Sequence, residues 1–154
     1  MRREVSKPTR RIGVIINYLS LVLFILLFSL GMHRGWRIPI IVGETVALTI
    51  VLVSFVYLYV KTRLWKFVHA SIEELDERQV HIMHDALRYS YSIFSVVTLS
   101  YLLILTLTTR FSIDTLTPSG SASLGMIILC GLIYIAHTLP ASIIAWTEKE
   151  VLID

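Results

Sequence analysis

The sequence predicts an all-α integral membrane protein. Four transmembrane helices would form two hairpins in a four-helix bundle, with a cytoplasmic helical extension between the second and third spans. Three observations carry this reading. Four apolar runs, residues 12–31, 38–60, 91–109 and 124–146, are each 19 to 23 residues long, and about 20 helical residues cross a hydrocarbon core of roughly 30 Å. Eleven of the 14 Lys and Arg residues fall in the first tail (Arg2, Arg3, Lys7, Arg10, Arg11), the middle loop (Lys61, Arg63, Lys66, Arg78, Arg88) or beyond the last run (Lys149). The positive-inside rule makes that side cytoplasmic and gives a multi-pass cell-membrane protein with both termini inside. Finally, 154 residues that are 55% hydrophobic and 16% charged form a single membrane domain over 1–154. After four spans they leave no room for a separate soluble domain.

The opening segment through Pro8 and Thr9 reads as a flexible basic tail anchored at the membrane surface. Basic tails beside a bilayer attract anionic headgroups, so the net charge of +3 points to the lipid bilayer and away from nucleic acid. Arg-rich residues before Ser29-Leu30-Gly31 have the flavour of a cleaved leader, but the first run is longer than the 7–15 residues of a signal core. Gly31, Gly35 and Pro39 mark the first external turn. Trp36, Trp65 and Trp146 stand at span boundaries, where indole prefers the water interface.

Between Glu44 and Thr117 there is neither Gly nor Pro, so helix is expected to continue past the second span to about residue 70. A cytoplasmic helical hairpin over 61–90 follows, with its turn near residues 70–76. Ser71-Ile72-Glu73-Glu74 offers a capping box and Asp76 an alternative N-cap. The next helix then runs into the third span, with Ile72, Leu75, Ile82, Met83, Ala86, Tyr89 and Ile93 on one stripe. Glu73, Glu77, His81, His84 and Arg88 take the opposite face. Residues 110–123, with Pro118 and Gly120, read as a loop.

Several residues are candidates for chemistry. Glu44, the acidic residue inside a span, is costly to ionise there unless paired or hydrated; Arg37 can reach down from the loop, and Ser29, Thr106 and Cys130 lie at similar depth. It is either a proton or cation site or a packing residue. His137 in the fourth span lacks a second span histidine for a haem, and a bond across the bundle to Ser100 or Tyr101 is its structural alternative. Glu77, His81 and His84 share a helical face and form a donor set that Zn or Fe would accept with help from another segment. Against that, Glu74 with Arg78, Glu77 with His81 and Asp85 with Arg88 have the spacings of ordinary helical ion pairs. Gly43-x3-Ala47 and Ala141-x3-Ala145 favour close helix packing. Cys130 alone permits neither a disulfide nor a multi-cysteine metal site.

The segment Leu75-Asp76-Glu77-Arg78-Gln79, followed by Ile82, Ala86 and Ser90 and then an apolar span, resembles the D-E-R-x signature of small uncharacterised prokaryotic four-span membrane proteins classed as a domain of unknown function. The resemblance implies the four-span layout and a prokaryotic plasma membrane. It also makes Asp76, Glu77 and Arg78 residues of interest, with Asp76 capping the helix while Glu77 and Arg78 bridge to the neighbouring hairpin or to a partner. His81 and His84 lie outside the signature.

No nucleophile–base pair, phosphate loop or complete metal motif appears, so a non-enzymatic function without cofactor is expected. The favoured expectation is a scaffold or regulatory subunit whose cytoplasmic hairpin contacts a membrane or cytoplasmic protein, or a second copy of the chain. A small transporter or channel subunit using Glu44 is the alternative, and a membrane metal-binding protein using Glu77, His81 and His84 is the third.

Overall fold

The computed structural model describes residues 5–110 and 118–148, and every regular element among them is helical. Helix α1 spans Lys7–Arg34 and α2 spans Ile38–Phe55, which continues as a π-helical turn, Val56–Val60. A short α3, Leu64–Val68, and a 3-10 turn, Ile72–Glu74, lead to α4, Glu77–Arg110, and α5 covers Pro118–Thr147. Four helices are long and apolar enough to cross a membrane: Lys7–Arg34, Ile38–Val60, Glu77–Leu107 and Leu124–Thr147.

The four long helices form an open row in the order α2, α1, α5, α4, each packed chiefly on its neighbour in that order. A closed four-helix bundle would also join the two end members, α2 and α4, and they share no substantial packing. Small residues allow the close contacts. Ala47, Ala141 and Ala145 are fully buried, and a β-carbon on Gly43 would come within 3.2 Å of Leu27. The two small-x3-small pairs therefore serve packing within the chain.

Arg2 and Arg3 of the basic tail lie outside the described residues; from Lys7 onward the segment read as a tail is already α1, with Pro8 in its first turn, where a missing N–H costs no helical hydrogen bond. Its cations reach the carbonyl end of α5. The Lys7 ammonium donates to the Thr147 carbonyl at 2.6 Å and Arg10 to that of Glu148 at 3.0 Å. Arg11 donates through Nε and Nη2 to the Trp146 carbonyl at 3.2 and 3.1 Å. These are the orphan acceptors that every helix C-terminus must satisfy, at the negative end of its dipole. The start of α1, the end of α5 and the middle loop thus share one end of the molecule.

The middle loop departs most from expectation. Helix does not persist to residue 70: the backbone widens into the π turn, where Lys61 N–H donates to Val56 C=O at 2.9 Å. It then breaks at Arg63, which takes the left-handed conformation at φ 61°. That conformation costs an L-residue roughly 1–2 kcal/mol. The break lets α3 fold back and bury Leu64 and Phe67, each contributing about 1.5–3 kcal/mol relative to water, so burial outweighs the strain. The absence of Gly and Pro therefore did not extend the helix. The expected hairpin over 61–90 is instead a short helix, a 3-10 turn and the first turns of α4.

Of the two N-caps weighed for α4, Asp76 is used and Ser71 is not. Gln79 N–H donates to Asp76 Oδ1 at 2.7 Å, and Asp76 N–H donates to Gln79 Oε1 at 3.1 Å, a reciprocal capping box. From there α4 runs unbroken to Arg110. The expected stripe holds in part: Met83 and Ala86 are buried and Leu75 and Ile82 pack against the same core, joined by Ser90, whereas Ile72, Tyr89 and Ile93 are exposed. At the far end α5 starts at Pro118, inside the segment read as loop, with proline at its first position. Residues 111–117 of that loop lie outside the described residues.

Candidate functional site

The densest polar assembly lies where α1, α2 and α5 meet, toward the end that holds α3. Asn17 of α1 is fully buried. Its Nδ2 donates to the Val51 carbonyl at 3.2 Å and to Ser54 Oγ at 2.8 Å, and its Oδ1 accepts the Tyr134 hydroxyl at 3.0 Å. The amide is thereby satisfied by both neighbouring helices. One residue on, the Tyr18 hydroxyl contacts Thr138 Oγ1 at 3.1 Å and Ser142 Oγ at 2.9 Å, and buried Tyr59 reaches the same Ser142 at 2.7 Å.

Local rules place these groups. Tyr134, Thr138 and Ser142 recur every four residues and so share one face of α5. The π turn brings Leu58 and Tyr59 together into the core, since an i→i+5 turn shifts the helical phase. Phe55 fills the space between them, with ring centroids 5.3 Å from Tyr59, 5.4 Å from Trp65 and 6.0 Å from Tyr134.

Thr138 Oγ1 also donates to the Tyr134 carbonyl and Ser142 Oγ to the Thr138 carbonyl, each at 2.9 Å. Four hydroxyl protons, those of Tyr18, Tyr59, Thr138 and Ser142, therefore serve five contacts. The cluster can reorient its protons but is built of neutral groups. Its chemistry is that of a register lock between helices, where each bond contributes about 0.6 kcal/mol and at most about 2.

The residues singled out in the sequence stand apart from this cluster. Glu44 is half-buried on α2, and among the described residues it has no hydrogen-bond or ion-pair partner. Cys130 is exposed and Arg37 sits at the N-cap of α2, and among the described residues neither is bonded to Glu44. His137 is exposed, and its Nδ1 donates to the Ile133 carbonyl of its own helix at 2.8 Å, not to Ser100 or Tyr101.

On α4, His81 Nε2 lies 3.5 Å from Asp85 Oδ2, an exposed i,i+4 pair in place of the expected Glu77–His81 spacing. Among the described residues no group of three or more His, Cys, Asp or Glu side chains could hold a metal ion, so Glu77, His81 and His84 do not form the Zn or Fe set considered above. Glu77 and Arg78 are exposed, and among the described residues neither bridges to another element. Of the D-E-R-Q segment, Asp76 and Gln79 have structural work and the two residues between them face outward.

Sequence reasoning missed the cluster, although two signals pointed to it. Asn17 is the chain's one asparagine and falls inside an apolar run, where an amide has to find partners. The period-four hydroxyls of α5 were the second. Compared with known protein families, curated proteins and solved structures, the chain matches none.

Proposed function

We propose that the chain is a non-enzymatic integral membrane scaffold or regulatory subunit, with the start of α4 and the segment before it presenting the contact face to a partner protein. The observation that carries this reading is the length and setting of α4. Its 34 residues extend about 51 Å at 1.5 Å per residue, well beyond a hydrocarbon core of roughly 30 Å. The first turns then stand clear of the bilayer with α3 packed nearby, and their inner side, Met83 and Ala86, joins the core of Leu64 and Phe67. The outer side carries Glu77, Arg78, His81, His84 and Arg88, all exposed. A capped, internally packed segment whose charged face, the His81–Asp85 pair apart, makes no described bond to another element is suited to docking. The basic asymmetry supports placing this face in the cytoplasm, and the likeness of Leu75–Gln79 to the D-E-R-x signature supports a prokaryotic plasma membrane.

Site-specific photo-crosslinking in cells tests the proposal. A crosslinker at His84 is expected to trap one defined protein, and one at Leu103 is not. The adduct should disappear with Arg78→Glu and survive Glu44→Gln. Proton or cation flux from the purified protein in vesicles that falls with Glu44→Gln would replace this reading with the transporter reading.

A further inference from the structure

The open row leaves a groove of about 490 Å³ over α5, flanked by α1 and α4. Val14 and Tyr18 form one wall, Tyr89 and Ile93 the other, and Ser142 and Trp146 lie along the floor. The hydroxyls of Tyr18 and Ser142 are already bonded to each other and to Thr138 and Tyr59. They ask nothing further of a ligand, and the rest of the surface is predominantly apolar. The rim is different. Thr147 and Trp146 also line the groove, and they are the residues whose carbonyls hold Lys7 and Arg11. The Arg11 guanidinium in addition lies 5.0 Å from the centre of the Trp146 ring. Each cation keeps donors in reserve. Lys7 commits one of three N–H groups, and Arg11 leaves Nη1 without a partner among the described residues.

We propose that this groove binds one anionic phospholipid, its acyl chain along Tyr18, Ile93 and Trp146 and its phosphate against Lys7 and Arg11. An apolar trough that ends at paired cations matches the two halves of such a lipid, and both cations prefer phosphate oxygens to water in this setting. The α5 carbonyls hold them at the rim in advance, which lowers the ordering cost of binding. The site serves α1, α4 and α5 at once, so the lipid is a structural component that fills the space α1 and α4 leave between them.

Trp146 reports directly on occupancy. In the whole chain carrying Trp36→Phe and Trp65→Phe it is the remaining tryptophan of three. Reconstituted in phosphatidylcholine vesicles, this protein is expected to show quenching by brominated phosphatidylglycerol at about tenfold lower mole fraction than by brominated phosphatidylcholine. In Lys7→Gln/Arg11→Gln that preference falls to within about twofold. Ile93→Phe, which narrows the trough, weakens quenching by both lipids while helix content is retained. For the unaltered chain, native mass spectrometry from mild detergent is expected to keep a phosphatidylglycerol adduct after phosphatidylcholine is lost. Equal quenching by the two lipids overturns the proposal, as does a Trp146 shielded from both because a second copy or a partner helix fills the groove. Release of the lipid by millimolar inorganic phosphate overturns it too, by making the rim a free-phosphate site.

Discussion

The two ends of the molecule are built on different principles. At the end holding the start of α1, α3 and the end of α5, Val14, Leu58, Tyr59, Leu64, Phe67, Met83, Ala86, Ala141, Ile144 and Ala145 form one continuous core. At the opposite end the described contacts are local ones between α1 and the turn that follows it: a β-carbon on Gly31 would lie 2.8 Å from Trp36, and the rings of Phe28 and Trp36 meet edge-on at 5.4 Å. Along most of α4 beyond Ser90 large apolar side chains such as Leu99, Leu103 and Ile104 point outward. For a chain in a bilayer the contrast has a physical reason. Lipid is as apolar as leucine, so burying a leucine between helices at mid-membrane gains little, and helices there are held by small residues and hydrogen bonds. Where the chain emerges into water the hydrophobic effect returns, and the protein must supply its own core.

This comparison can be broken by substitutions at three levels. The largest effect is expected at the packed end. Phe67→Ala should destabilise the protein by about 3–5 kcal/mol, while Leu103→Ala, on an exposed stretch of α4, should stay within about 0.5 kcal/mol. Reversible unfolding in mixed micelles measures both, and equal losses would remove the distinction between the two ends. An intermediate effect is expected between them. Asn17→Leu removes the amide's bonds to Ser54, Tyr134 and the Val51 carbonyl and should cost about 1–2 kcal/mol, with faster hydrogen exchange in α2 around Val51. No change in exchange there would mean the amide does not bind α1 to α2. The smallest is Asp76→Ala, at about 1 kcal/mol. Its signature is local: exchange should accelerate at Gln79 and Val80 and not at Met83, and Asp76→Asn should restore protection because asparagine caps equally well. Acceleration spreading through α4 would instead make the cap a keystone of the whole packed end.

The sequence made the spans and the cap legible and hid the interior. The second run, read as 38–60, coincides with the helical span Ile38–Val60, and the fourth, read as 124–146, ends one residue short of Thr147, because length and hydropathy are local properties. The cap at Asp76 was also local, three residues from its Gln79 partner. By contrast the register lock joins Asn17 to Tyr134 and Tyr59 to Ser142 across 117 and 83 residues of chain, and which helix neighbours which is not written in any one segment. Tyrosines add to the concealment, since hydropathy counts them as apolar while their hydroxyls do the joining. The turn at Arg63 was hidden for a related reason. An arginine carries no turn signal of its own, and its left-handed backbone is stabilised by Leu64 and Phe67, whose burial depends on α5 and the π turn.

The contact between the first and last helices also orders events during synthesis. Helices α1 and α2 can pair as soon as both have left the ribosome, but Asn17 still lacks Tyr134, Tyr18 lacks Thr138 and Ser142, and Lys7 and Arg11 lack their carbonyls until α5 arrives. Chains emerge from the N-terminus onward, so a nascent product halted before α5 would retain an incompletely bonded amide and an unanswered tyrosine within its first span. Such a product is marked as unfinished by its own chemistry, because the hydrogen bonds that satisfy its first span come from its last.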